Sequence, residues 1–237
     1  MNKPLMDSRQ FREWNETMAG KYDSESYHLR SSFVIRWIER RRVRAILNFL
    51  DARPEDTVVE VGCGAGVVLE QVPAGYLIGV DLAANMLPRA RKRLSHRPAG
   101  VLQAAAEQLP FASRSQHKLY CTEVIEHVLE PQALIRELAR VATREAIIII
   151  TIPNEKLIEQ AKSRIIRLGL ARWFLQGSHD NAPGYDSPGD ANEWHLHQFD
   201  LALLQAIIAG SLEIVALQAV PFRWLPLRYV VCCRPKE

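Results

Sequence analysis

Three short runs hold the residue types that could do chemistry. The first is VVEVGCGAG, residues 58–66, followed by the acid Asp81 that closes GVD. Glycines at 62, 64 and 66 permit positive φ and a close backbone approach to a ligand. A dinucleotide fingerprint asks for glycines at its first, third and sixth positions. Here the sixth position is Val67, and Glu60 stands two residues before the first glycine. A strand-borne acid beside the turn opposes a pyrophosphate and suits a ligand with an ammonium group. Asp81 is placed to accept hydrogen bonds from both hydroxyls of a ribose. A helix opening after the turn would aim its first N–H groups at something anionic. The second run is CTEVIEHV, residues 121–128, where a helix starting at Glu123 would set Glu123, Glu126 and His127 on one face. The third is WHLHQFD, residues 194–200, whose His195 and His197 could each serve as general base or ligand, or simply cap and solvate a loop.

The elements that must position these runs follow from hydrophobic patterning. Strands are predicted near Thr57 to Gly62, Tyr76 to Asp81, Val101 to Ala104, Lys118 to Thr122 and Ala146 to Ile152, with helical patterns between them. Solidly apolar strands alternating with helices imply a parallel sheet covered on both faces, that is, an α/β fold. Pro131 suits the first turn of a helix whose inward stripe is Leu134, Leu138 and Val141. Asp200 is expected to cap a helix from Leu201 to Ala209, with Phe199 stapled on Leu204 and Gly210 ending it. Two last apolar runs, Leu212 to Val220 and Arg228 to Cys233, read as a closing hairpin. Residues 1–50 form a helical N-terminal cap with Trp14, Tyr22, Tyr27 and an Arg-rich helix; residues 51–237 form the ligand-binding domain, with an insertion or lid at 153–193.

Composition narrows the class. With 237 residues and 48% hydrophobic residues the chain can bury a large core. A formal charge of +3 is too small to demand nucleic acid as a partner. The four cysteines show neither metal-ligand spacing nor a disulfide framework, which fits a reduced, cytoplasmic setting. The first residues show no apolar targeting core, and the apolar run Ala146 to Ile152 is too short to span a bilayer. The lid begins with EKLIEQAKSRIIRLGLARWFLQG, residues 155–177, where Ile158, Ala161, Ile165 and Leu168 alternate with Lys162, Arg164, Arg167 and Arg172 ahead of Trp173 and Phe174. Such a basic amphipathic helix either lies on an anionic membrane surface or packs on its own domain with a solvated charged face.

On these residues the chain resembles the Rossmann-like S-adenosylmethionine-dependent methyltransferases, in particular the type 11 small-molecule branch that includes the ubiquinone-biosynthesis O-methyltransferases. The resemblance implies a seven-stranded, mostly parallel sheet with an antiparallel last strand and helices on both faces. It also implies a cofactor cradle: Glu60, Gly62, Cys63 and Gly64 on the methionine end, Asp81 and Leu82 on the ribose, Met86 on the adenine, and Ala106, Glu107 and Gln108 along the adenine amino edge. Glu123 is counted with the cofactor contacts as well as with a metal set. The Glu-x-x-Glu-His motif occurs in the ubiquinone enzymes and in the small-RNA 3'-end 2'-O-methyltransferases, where it is associated with a divalent cation such as Mg2+. Carried over, the ligands are Glu123, Glu126 and His127, with a later histidine completing the shell, and His127, His195 and His197 are the candidate bases. Acids in the first turn of a helix are also favoured by its dipole with no ion at all. Ser115-Gln116-His117-Lys118 departs from the acid that family members often carry before the fourth strand. The implied reaction is methyl transfer from S-adenosylmethionine to a small or lipid-like acceptor, most readily at oxygen. The alternatives are RNA 3'-end 2'-O-methylation, disfavoured by the low charge, and a cofactor-binding protein without turnover.

Overall fold

The computed structural model describes residues 6–21, 31–169 and 195–236. In chain order these form α1 (Ser8–Lys21), α2 (Phe33–Leu50), β1 (Thr57–Val61), β2 (Tyr76–Asp81), α3 (Leu87–Leu94), β3 (Ala99–Gln103), β4 (Gln116–Thr122), α4 (Pro131–Val141), β5 (Ala142–Pro153), α5 (Glu155–Arg167), α6 (Leu201–Ile208), β6 (Leu212–Phe222) and β7 (Leu225–Pro235). One seven-stranded sheet runs β3-β2-β1-β4-β5-β7-β6. The pairs from β3 through β5 are parallel, and β7 is antiparallel to both β5 and β6. This is the expected Rossmann-like plan.

Strand side chains alternate between two cores. Val59, Val61, Leu119, Cys121, Ile148 and Ile150 face α4 and α6, whereas Val58, Leu77, Tyr120 and Ile149 face α2 and α3. Each fully buried Val, Leu or Ile contributes about 1.5–3 kcal/mol of transfer free energy. The predicted stripe of α4 is buried together with Ile135. Asp200 caps α6 by accepting from the Leu203 N–H at 2.9 Å, and Phe199 is buried in the same core as Leu204. All four cysteines are free and buried. No helix among the described residues is long and apolar enough to cross a membrane.

Two expected helices do not form. After the glycine turn there is only a 3-10 turn, Leu69–Gln71. Residues 62–75 are all that join β1 to β2, and Pro73 stops helical propagation six residues after Val67. No helix starts at Glu123 either: residues 123–128 are turn and bend, and Glu123 takes a left-handed φ of 54°. The strands also run longer than expected at β5, which extends back to Ala142, while β3 starts at Ala99 and ends at Gln103.

In the N-terminal region α1 leans on the loop after β2. The Asn85 N–H donates to Glu16 Oε1 at 3.1 Å and its side-chain amide to the Glu16 carbonyl at 3.0 Å. Ala19 packs with Ala83 and Met86. Tyr22, Tyr27, Arg172, Trp173 and Phe174 lie outside the described residues, as does nearly all of the lid beyond α5.

Candidate active site

The segments that leave β1, β2, β3 and β4 meet at the carboxyl edge of the sheet, the edge at which open α/β sheets bind ligands. Gly62, Gly64 and Gly66 all take positive φ, 76°, 49° and 77°. At Gly62 a Cβ would collide with the side chain of Val124, so the turns after β1 and β4 close on each other only because position 62 has no side chain. Asp81 closes the other side. Its Oδ2 accepts the Gly64 N–H at 2.7 Å and its Oδ1 the Ala83 N–H at 2.8 Å. A carboxylate has about four acceptor sites, so each oxygen keeps capacity for a ribose hydroxyl.

Glu60 lies beneath the turn, 2% exposed. Burial pushes its carboxyl up to about 8, with Tyr120, Arg42 and the Leu69 N–H pulling it down and Asp81 pushing it further up. Glu60 Oε2 and the Tyr120 hydroxyl have no hydrogen-bond partner of good geometry. An orphaned acid in this place fits a cationic group, and the ammonium of a methionine moiety is one. Leu82 is half-buried, its carbonyl accepting from the Gln103 amide at 3.0 Å. Cys63 is buried, and burial raises its thiol well above the usual range, so it lines the turn as a neutral group. Met86 is buried under α1 beside Ala19. In the turn after β3, Ala106 is buried in the core, Glu107 is half-buried and Gln108 is exposed.

A second constellation lies beyond β4 and β5. Glu126, His127 and His195 each offer a ligand atom, all within 4.8 Å of one another. The two imidazoles meet edge to face with centroids 4.8 Å apart. Glu126 is 1% exposed and its Oε2 is unpartnered. Burial first, then the charge of Glu123, raises its carboxyl well above the ordinary range. Behind His195, the Glu155 Oε1 lies 2.6 Å from Nδ1. A carboxylate there accepts the Nδ1 proton, leaving Nε2 as a lone-pair donor aimed away from it. The loop carrying His195 is docked by the Leu196 and His197 N–H groups, which both donate to the Glu126 carbonyl, at 2.8 and 3.1 Å.

Two candidates are placed elsewhere. Glu123 is not grouped with Glu126 and His127: it pairs with Arg228 at 3.2 Å and accepts from the Thr151 hydroxyl at 2.9 Å. Its left-handed backbone, held by an N–H bond to Thr151 Oγ1 at 3.2 Å, swings it out of the face that a helix would have shared. His197 donates from Nε2 to the Val128 carbonyl at 2.9 Å, which makes it a fastener of the loop. Arg228 belongs to a buried network in which Glu39 of α2 binds both Arg228, at 3.0 Å, and Arg42, at 2.7 Å. Thr151 and Glu155 stand in the run TIPNE, residues 151–155, which carries part of the resemblance to the small-RNA enzymes without an individual role for either, and Arg228 carries no expectation. The legible signal was a charged residue inside an apolar strand, Arg228, and an acid directly after the proline-asparagine pair, Glu155.

Fold and crevice together define a Rossmann-like protein whose glycine turn and flanking acids open at the carboxyl edge of the sheet. Residues 59–150 match the methyltransferase domain family. The mitochondrial ubiquinone biosynthesis O-methyltransferase of Saccharomyces cerevisiae is 27% identical over 149 residues, covering 60% of this chain and 48% of that protein. The chain spans about half the length of the curated relatives it matches. Among solved structures, the magnesium protoporphyrin IX methyltransferase of Synechocystis PCC 6803 with bound S-adenosylhomocysteine superposes with a TM-score of 0.65 at 17% identity, over 95% of this chain and 100% of that one. A complex of the Haloferax volcanii Trm112 methyltransferase activator with a methyltransferase also gives 0.65, at 13% identity, over 99% and 100% of the chains. Residues 59–150 are thus a methyltransferase domain, and the chain is built on the plan of the Rossmann-like S-adenosylmethionine-dependent methyltransferases.

Proposed function

We propose that the protein transfers the S-adenosylmethionine methyl group to an oxygen of a small or lipid-like acceptor held between the glycine turn and the Glu126–His127–His195 cluster. The observation that carries the reading is the pairing of an orphaned acid under a glycine turn with a carboxylate-oriented imidazole at the same edge of the sheet. Glu60 answers the cofactor ammonium, Asp81 and Leu82 the ribose, Met86 packs on the adenine, and Ala106, Glu107 and Gln108 line the adenine amino edge. Methyl transfer needs in-line placement of nucleophile, methyl carbon and sulfonium, exclusion of water, and removal of the acceptor proton. His195 takes that proton on Nε2, and Glu155 stabilises the imidazolium that results. The likeness to ubiquinone O-methyltransferases supports oxygen as the methylated atom.

The cluster also fits a divalent cation, because Glu126 Oε2 is buried without a partner and His195 carries the carboxylate support usual for a ligating histidine. Glu126, His127 and His195 would hold it, with Glu123 withheld by Arg228. Two imidazoles and one carboxylate suit Zn2+ or Fe2+ better than Mg2+, which prefers an all-oxygen shell. A bound ion would polarise the acceptor hydroxyl and lower its pKa. That same cluster supports the second reading, 2'-O-methylation of an RNA 3' end, since the resemblance to those enzymes implies a later histidine in the metal set.

Transfer of label from methyl-labelled cofactor into a metabolite and lipid extract, run beside a small-RNA pool, tests the proposal. Label in the metabolite or lipid fraction supports it, and label confined to RNA replaces it with the second reading. Tight S-adenosylhomocysteine binding with no transfer to either fraction would indicate a binding protein without turnover.

A further inference from the structure

On the outer side of α2 the chain carries aromatic rings that no core requires. Phe33 is 73% exposed, Trp37 38% and Trp224, at the tip of the β6–β7 hairpin, 77%. Trp224 stacks on Phe222 with centroids 5.0 Å apart and planes 8° apart, and Phe222 reaches Trp37 at 5.5 Å. The Arg41 guanidinium lies over both Trp37 and Phe222, at 5.2 and 5.4 Å from their centroids. Helical spacing extends this ledge with Arg36, Arg40 and Arg44, all exposed, and Arg223 is exposed beside Trp224. The single acid of α2 is Glu39, which is buried against Arg42 and Arg228. The hairpin turn from Pro221 to Leu227 has no acid. Among the described residues of these two elements, the exposed charge is therefore of one sign.

We propose that this aromatic and arginine ledge docks on the surface of an anionic lipid bilayer. Trp and Phe with apolar bodies settle at the headgroup boundary, while neighbouring guanidiniums reach lipid phosphates. The ledge is convex, built on a helix and a projecting turn, so it presents rings outward instead of enclosing a peptide. Its rings are spent on one another and on Arg41, not spaced along a groove as base-stacking platforms are. Its position gives the contact a use. Pro153, the last residue of β5, pairs with Arg228, so the turn at Arg223 and Trp224 projects past the carboxyl edge of the sheet where the crevice opens. A bilayer under the ledge would lie beside the crevice mouth, although the docking itself stands whatever the reaction is. The surface is distinct from α5, whose basic face was the sequence-level membrane candidate.

The test is co-sedimentation of the full chain with vesicles of phosphatidylcholine alone or mixed equally with phosphatidylglycerol, at moderate salt. Binding to the mixed vesicles is expected to exceed binding to neutral ones by at least about tenfold. Trp224→Ala with Phe33→Ala should lower it about tenfold, and Arg40→Glu with Arg44→Glu more than tenfold. All four side chains are exposed, and unchanged thermal unfolding and S-adenosylhomocysteine affinity confirm that the variants fold. Absence of binding to either vesicle, equal binding to both, or undiminished binding by both double variants overturns the proposal. So does preferential binding of a single-stranded oligonucleotide, or ledge-dependent self-association without vesicle binding.

Discussion

The two halves of the crevice each bury an acid with one unpartnered carboxyl oxygen, yet they are built differently. Glu60 sits under a turn made from contiguous chain and closed by Asp81, with Tyr120, Arg42 and Val124 reaching it from other elements. Glu126 sits in a cluster drawn from three segments: the turn after β4, the start of α5 and the loop before α6. Near Glu60 the buried Arg42 opposes the one acid Asp81, whereas near Glu126 Arg228 opposes two acids, Glu123 and Glu155, which push its carboxyl further up. On the proposed function, the first acid meets a cation carried by the cofactor and the second an imidazolium or a metal ion. Val124 joins the halves by packing on Gly62.

The comparison predicts separable losses, and the largest belongs to the joint. Gly62→Ala puts a methyl group into Val124 at a backbone φ of 76°, and should weaken S-adenosylhomocysteine binding by more than about a hundredfold while lowering stability by roughly 2–4 kcal/mol. Adding Val124→Ala should restore part of both, seen by calorimetry and denaturant titration; no restoration would break the claim that the two turns meet through this contact. Next, Glu126→Ala should abolish Zn2+ binding and Glu155→Gln should weaken it about 10–100-fold, with S-adenosylhomocysteine affinity unchanged in both. A parallel loss of cofactor affinity would show that the halves are not independent.

The third effect is one of pH. The Glu60 carboxyl is neutral in the free folded protein below about 8, but ionises near its ordinary value of about 4.3 when unfolded. Between those values the folded state holds the extra proton, so this group's contribution to stability is greatest at low pH and falls as pH rises toward about 8. Glu60→Gln should flatten that slope. Cofactor binding at pH 6.5 should release close to one proton from the native protein and none from the variant, read as a dependence of the calorimetric heat on buffer ionisation enthalpy. The smallest effect is expected at His197, where replacement by Ala removes a bond to the Val128 carbonyl and costs roughly 1 kcal/mol. It should leave both ligand affinities within about twofold. A tenfold loss of Zn2+ affinity would return His197 to the site.

The helix expected from Glu123 shows where pattern reading failed. The i, i+3, i+4 spacing is real, but the backbone bonds that would have made a helix are replaced by bonds to Thr151 on β5, and Arg228 takes the Glu123 carboxylate. Similarly, nothing near Leu69 in the sequence marks the shortness of its turn except Pro73. By contrast Asp200, Pro131 and the stripe of α4 behaved as written, because caps, first-turn prolines and apolar stripes act within one or two turns of chain.

The amino-acid order alone located the strands to within a few residues and the glycine turn with its two acids, since backbone φ, side-chain period and the Glu60-to-Asp81 spacing are local properties. Tertiary structure alone decided which imidazoles meet. His195 rather than His197 joins Glu126 and His127, and Glu155 rather than Glu123 stands beside that cluster. Those choices are made by packing between segments far apart in the chain, such as Glu123 with Arg228, where a carboxylate goes to whichever cation the sheet brings nearest.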